Sequence, residues 1–160
     1  MLSSDVIIVG SPTYVLEMTS HLKAFFEYIF TMFLPHRPEE TMFSKIAVVV
    51  SAAAGAGMNG VVKSMARQMF YLGVSKTYRI PFRAMAASWD EVSDKKKERI
   101  ALKTNRTALK ITSQKERVRP GIKTKIMFLL MRLMQKKFSF ASLDKAYWEE
   151  KNWLGKERPW

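Results

Sequence analysis

Two short loops carry the residues with which this chain could bind a ligand. Each loop follows an apolar run, and each offers small or hydroxyl-bearing side chains beside backbone amides. Glycine and alanine let backbone N–H groups approach a ligand without steric obstruction. The candidate ligand-binding residues are Ser11, Pro12, Thr13 and Tyr14 in the first loop, and Ser51, Ala52, Ala53, Gly55 and Gly57 in the second.

The sequence contains no comparable residue pattern for acid–base catalysis, nucleophilic catalysis or metal binding. The chain has no cysteine, which excludes thiolate ligands and cysteine nucleophiles within it. His21 and His36 stand outside any HExxH or carboxylate spacing, and Ser11 lacks the GxSxG elbow of hydrolases. We therefore predict no metal ligand, no cysteine nucleophile and no hydrolase serine.

Both loops also have plainer interpretations. On spacing alone, an ordinary strand-to-helix connection is as well supported for residues 11–14 as a ligand loop. Residues 52–60 are equally typical of a flexible loop. The position of each loop after a buried strand favours ligand binding, because open α/β sheets bind ligands outside the carboxyl ends of their strands.

The hydrophobic pattern predicts alternating strands and helices. The run VIIV at residues 6–9 is continuous, which is typical of a strand covered on both faces of a parallel sheet. Thr19 is the predicted N-cap of a helix extending to Phe33, with Ser20 as the alternative cap. The further predicted elements are strand 43–51, helix 61–72, edge strand 77–80 ended by Pro81, a charged helix from Trp89 or Asp90 to Thr112, and helix 121–137.

The positive charge is concentrated in one segment. The net charge is +13, and residues 95–137 contain fifteen basic and two acidic residues, whereas residues 1–94 and 138–160 are each neutral. We predict two parts, a partial domain at 1–118 and a basic amphipathic helix with an aromatic tail at 119–160. The apolar arc of helix 121–137 needs a partner helix, the parent domain or a membrane surface to cover it.

The basic segment leaves several partners open. Contact within a homo-oligomer is favoured, with the aromatic tail around a neighbouring copy, and a membrane surface at 119–137 ranks next. No nucleic acid is expected, because the aromatic residues do not interleave with the charges. The first apolar run lacks a basic segment before it and is only four residues long, so we predict a cytoplasmic location.

The first strand, loop and helix resemble those of the NAD(P)H-dependent FMN reductases and related flavodoxin-like flavoproteins. The resemblance rests on DVIIVGSPTY at 5–14, Met18-Thr19 and LKAFFE at 22–27. Lys45, Ser51 and the three glycines of 55–60 fit the same pattern, and the tail at 147–156 looks like the end of bacterial members.

The resemblance implies a flavodoxin-like α/β fold, in which a partial parallel sheet of about three strands has helices on both faces and is followed by a C-terminal helical extension. It also implies FMN as the cofactor and NAD(P)H as the hydride donor to a small-molecule or protein electron acceptor. Residues 11–14 would contact the isoalloxazine and ribityl parts, and residues 52–57 the other side of the flavin. Tyr14 would stack on or flank the ring.

The chain departs from the family at its start. Family members begin with a strand and a phosphate loop that this sequence does not show before Asp5. Either the chain is truncated, which we favour, or a partner supplies the missing half. We therefore expect an exposed edge at the first strand and weak FMN binding by the isolated chain. The alternative is a non-enzymatic module whose basic C-terminal region binds a membrane surface or an acidic partner.

Overall fold

The computed structural model describes residues 1–114, 117–138 and 141–160. Lys115 and Glu116, which belong to the predicted basic segment, lie outside the described residues. The strands are β1 Val6–Pro12, β2 Ile46–Ala53 and β3 Lys76–Arg83. The helices are α1 Ser20–Tyr28, α2 Met58–Tyr71, α3 Asp94–Thr112, α4 Ile122–Lys137 and α5 Ser142–Glu150.

The three strands form one parallel sheet in the order β1-β2-β3. Val9 pairs with Val49, which in turn pairs with Arg79, so the strands end together at their carboxyl edge. The predicted order of alternating strands and helices is confirmed. Parallel neighbours of this kind require crossover connections, and α1 and α2 supply them.

The main core fills the space between the sheet and the helices α1 and α2. Alternate strand residues point to this side, and Ala47 and Val49 of β2 are fully buried there. The largest helical contributions come from Phe26, Met65 and Met69. Helix α3 lies beside β3, where the Tyr78 hydroxyl donates to Gln114 Oε1 at 3.1 Å.

Strand β1 has one uncovered face, which corrects the sequence-based expectation. Ile7 is buried against the main core, but Ile8 on the opposite face is 73% exposed. The continuous apolar run predicts that both faces of β1 are buried. In the structure, no described element packs over Ile8. The expected exposed edge is present, since β2 is the only strand that β1 pairs with among the described residues.

Several predicted boundaries are wrong by a few residues. Helix α1 ends at Tyr28, and a 3₁₀ turn at Phe30–Met32 replaces its predicted last turn. Strand β3 continues through Pro81, which an edge strand tolerates because its missing N–H needs no ladder partner. The charged helix α3 begins at Asp94, four to five residues later than predicted.

The C-terminal aromatic residues pack within the chain. Phe128 of α4, Trp148 of α5 and Trp153 form a second buried cluster with Leu34 and Phe43. Phe128 and Trp148 stack with ring centroids 4.8 Å apart. These aromatic residues therefore pack against Leu34 and Phe43 of their own chain.

Candidate functional site

An open cleft of about 470 Å³ lies at the carboxyl edge of the sheet, where all three strands end. Its size falls within the roughly 300–1,000 Å³ that is usual for small-molecule sites. The first side is formed by Pro12, Thr13 and Tyr14. Ala52, Ala53 and Ala54 form the floor where β2 ends.

The third side of the cleft was not predicted from the sequence. It consists of the segment 84–92, with Ala84, Ala86, Ala87, Ser88, Trp89 and Val92 in the lining. The sequence pattern indicates only that Trp89 is a possible first residue of a helix. The signal that could have found this side is the small-residue run AMAA at 84–87, which follows a third parallel strand just as the other two loops follow theirs.

Segment 84–92 is held in place by polar contacts at both ends. The backbone N–H groups of Ala84 and Met85 donate to the carbonyls of Ala53 and Ala54 at 2.8 and 3.1 Å. Lys96 Nζ donates to the Ala84 carbonyl at 2.9 Å, and the Ala87 N–H donates to Glu91 Oε2 at 3.0 Å. The wall is therefore anchored to the floor of the cleft and to α3.

Five of the nine predicted site residues line the cleft, namely Pro12, Thr13, Tyr14, Ala52 and Ala53. Ser11 and Ser51 are buried beneath it. The Ser11 hydroxyl donates to the Pro12 carbonyl at 2.8 Å and accepts from the Thr19 N–H at 3.1 Å. The Ser51 and Thr13 hydroxyls hydrogen-bond each other at 2.9 Å. Both serines thus position the first loop and leave its ligand contacts to other residues.

The two predicted glycines flank the cleft without lining it. Gly57 has a φ of +96° and packs so closely under the first loop that an added Cβ would lie 2.8 Å from Thr13 Cγ2. Gly55 lies in open space. Among the described residues, the N–H groups of Gly55 and Ala56 have no hydrogen-bond acceptor. These two amides follow directly after Ala54 in the chain, and their N–H groups remain available as donors.

The tip of the first loop is a strained, exposed turn. Val15 and Leu16 have φ values of +50° and +66°, and the N–H groups of Tyr14 and Glu17 donate to each other's carbonyls at 3.1 and 3.0 Å. A β-branched residue at positive φ is a genuine outlier, and such strain clusters at functional sites. Val15 is nevertheless 97% exposed, so the strain holds an apolar side chain in solvent beside the cleft.

The lining has no strongly ionising side chain. It contains no carboxylate, imidazole, lysine or arginine, and its polar groups are hydroxyls, the Trp89 indole and backbone amides. Among the described residues, no group of three or more His, Asp or Glu side chains could hold a metal ion. The cleft is therefore suited to a flat, largely uncharged ring that is bound by stacking and backbone hydrogen bonds.

An open parallel sheet that packs helices α1 and α2 against one face, with a cleft where its strands end, is typical of the flavodoxin-like α/β class. The family model described as NADPH-dependent FMN reductase matches residues 1–88, which is more than half of the chain. The chain belongs to this family. The predicted resemblance and fold class are confirmed. The description of the family names FMN and NADPH, in agreement with the cofactors that the resemblance implies.

Twelve chains of solved structures match this chain, and one of them illustrates the low sequence identity. The crystal structure of RosB with the bound intermediate 8-demethyl-8-formylriboflavin-5'-phosphate has a TM-score of 0.47 and 11% identity to this chain. The alignment covers 98% of this chain and 59% of that one, so this chain spans less than two thirds of its length. No curated protein matches significantly.

Proposed function

We propose that this chain is an FMN-dependent NAD(P)H oxidoreductase domain that holds the isoalloxazine ring of FMN in the cleft at the sheet edge. The observation that carries the proposal is the cleft itself, whose sides come from the loops after all three parallel strands. Its small side chains leave room for a planar ring. Tyr14 and Trp89 both belong to the lining and offer aromatic surfaces to the ring.

The cleft lining suits a reaction that needs no protein acid or base. Bound FMN supplies a ring that accepts a hydride directly from the nicotinamide, so the protein contributes position and electrostatics. Pro12–Tyr14 and Ala52–Ala54 bind and orient the ring in this proposal. The free N–H groups of Gly55 and Ala56 donate hydrogen bonds to acceptors on its edge.

We further propose that the 160-residue chain binds FMN weakly. No cationic side chain lines the cleft, so the described residues offer the FMN phosphate no partner there. FMN and riboflavin, which differ by that phosphate, should then bind with similar affinity.

Fluorescence polarisation of FMN and of riboflavin, titrated separately with the full chain, tests this proposal. We expect dissociation constants weaker than micromolar and within about threefold of each other. Tighter FMN binding, with at least a tenfold preference over riboflavin, would contradict the weak-binding proposal while supporting the site.

A matched pair of variants tests the location of the site. Ala87→Leu narrows the cleft, whereas Ala101→Leu makes the same change at an exposed position of α3. We expect only Ala87→Leu to weaken flavin binding, by about tenfold or more. Equal binding by both variants would place the flavin elsewhere.

We also propose that the electron acceptor is a small molecule or a protein, and that the chain forms a homo-oligomer in the cytoplasm. A second candidate function, docking of the basic C-terminal region to a surface, is favoured by the exposed face of α4. This second function does not depend on flavin binding.

A further inference from the structure

Helix α4 has one covered face, and its opposite face is apolar and exposed. Thr124, Phe128, Met131 and Gln135 are buried against the rest of the chain. At 100° per residue, the opposite side of the helix is apolar. It consists of Ile122, Ile126, Leu129, Leu130 and Leu133, and all five side chains are exposed.

This outward face is unusual for a surface helix. Such helices normally bury one apolar stripe and present polar residues on the other side. Here Ile126 is 60% exposed and Leu130 is 49% exposed. A contiguous exposed apolar ridge marks an interaction surface in soluble proteins. Phe138 and Leu143, which follow the helix, are exposed as well.

Basic side chains border the apolar ridge on both sides. By the same helical angle, Lys125 and Lys136 lie along one border and Lys123 lies along the other, while Lys137 follows at the C-terminal end of the ridge. Residues 117–138 contain seven basic residues and no acidic one. Among the described residues, none of these four lysines forms an ion pair.

We propose that the outward face of α4 docks the protein onto an anionic lipid bilayer, with the helix lying in the plane of the membrane surface. The apolar ridge enters the boundary between headgroups and acyl chains, and the bordering lysines reach the anionic headgroups. Among the described residues, no helix is both long and apolar enough to cross a bilayer.

The charge pattern argues against a second copy of the chain as the occupant. Two copies of this face would bring lysine borders together, and neither copy would offer a carboxylate from residues 117–138. A bilayer can satisfy both features at once, because it provides negative charge at the headgroup level and an apolar layer directly below.

Flotation of the full chain with extruded vesicles tests the proposal. One set contains phosphatidylcholine with about 30% phosphatidylserine, and the other contains phosphatidylcholine alone. We expect at least tenfold stronger binding to the anionic vesicles, and a loss of most of that binding in 0.5 M salt. Equal binding to both sets, or none to either, would overturn the proposal.

Paired variants locate the docking face. Ile126→Glu/Leu133→Glu alters the ridge of α4, and Leu102→Glu/Leu109→Glu makes the same change at exposed leucines of α3. Circular dichroism verifies the helical content of each, and Lys136→Ala/Lys137→Ala tests the charged border without touching the ridge. We expect both α4 variants to bind anionic vesicles at least tenfold more weakly, and the α3 variant to bind like the unaltered chain.

Three results would overturn the assignment. The first is equal loss of vesicle binding in the α3 and α4 variants. The second is a dimer, measured by light scattering, that the α4 variant converts to a monomer without changing vesicle binding. The third is binding to duplex DNA, in place of vesicles, that the α4 variants abolish. None of these results depends on flavin binding, so failure here leaves the cleft proposal unchanged.

Discussion

At the scale of single residues, the cleft depends on side chains that do not themselves reach a ligand. Gly57 allows the loop before α2 to pass directly beneath Thr13 and Leu16, and its φ of +96° favours glycine. The Ser51 hydroxyl forms a hydrogen bond with the Thr13 hydroxyl, with the two oxygens 2.9 Å apart. The first loop is therefore supported from beneath, which leaves its upper surface free for a ring.

Replacing Gly57 should show how much the loop depends on this support. Gly57→Ala introduces a Cβ within 3.1 Å of the Leu16 backbone and forces an alanine into a left-handed conformation. We expect the free energy of unfolding to fall by roughly 1–3 kcal/mol, measured by urea denaturation. Flavin affinity should fall as well, because the loop must shift.

Gly55→Ala is the matched control, since an added Cβ there meets nothing within 4 Å. Its stability should stay within about 0.5 kcal/mol of the unaltered chain. A loss as large as that of Gly57→Ala would mean that the close approach under Thr13 does not determine the result.

At the scale of elements, the start of α1 links the cleft to the helix that follows it. The Thr19 side chain accepts a hydrogen bond from the Leu22 N–H at 3.4 Å, as the N-cap prediction required. The Thr19 N–H donates to the Ser11 hydroxyl at 3.1 Å. One residue thus caps the helix and ties its first turn to the end of β1.

Removing this cap should destabilise the chain measurably. Thr19→Ala leaves one N–H of the first turn without its side-chain acceptor, and we expect a loss of about 1 kcal/mol in thermal or urea unfolding. Ser93→Ala provides the comparison, because Ser93 is the N-cap of α3 but its side chain makes no capping hydrogen bond. The Ser93 variant should change stability by less than about 0.5 kcal/mol, and an equal effect of the two would argue against the capping role of Thr19.

At the scale of the whole molecule, the second aromatic cluster joins the C-terminal helices to residues 34–43. Trp148 donates its indole N–H to the His36 carbonyl at 2.6 Å. His36 Nδ1 and Asp144 Oδ2 form a second hydrogen bond at 2.8 Å. Burial, together with the carboxylates of Glu39, Glu40 and Glu150, raises the pKa of Tyr147 to about 12. Its hydroxyl therefore remains protonated at neutral pH and donates to the Pro38 carbonyl at 2.8 Å.

A cavity in this cluster should destabilise the whole chain. Phe128 is fully buried among aromatic rings, so Phe128→Ala should lower the free energy of unfolding by about 3–5 kcal/mol. The control Phe138→Ala removes an exposed ring and should cost less than about 0.5 kcal/mol. Urea unfolding should be followed by tryptophan fluorescence and by far-UV circular dichroism.

The two probes should give the same midpoint if the C-terminal helices unfold with the sheet. Three of the four tryptophans, Trp148, Trp153 and Trp160, report on the aromatic cluster. A fluorescence transition well below the dichroism transition would contradict this coupling. It would instead favour the predicted division of the chain into residues 1–118 and 119–160.

The sequence by itself determined the features that depend on neighbouring residues. The apolar run of β2 and the helical periodicity of α1 and α2 specified the alternating order. Thr19 and the Leu72-Gly73 pair marked where helices begin and end, because caps act within one turn. The same local pattern carried the family resemblance and half of the cleft, including Pro12–Tyr14 and Ala52–Ala53.

Only the tertiary structure decided which groups face each other across long sequence separations. It turned Ser11 and Ser51 inward as supports, brought segment 84–92 to the third side of the cleft, and left Ile8 exposed. It also placed the tail's tryptophans against Phe43 and one face of α4 against the body, which exposed the other face. The periodicity of a sequence shows that one face of an element is apolar. Which residues cover that face depends on tertiary contacts with residues far away in the sequence.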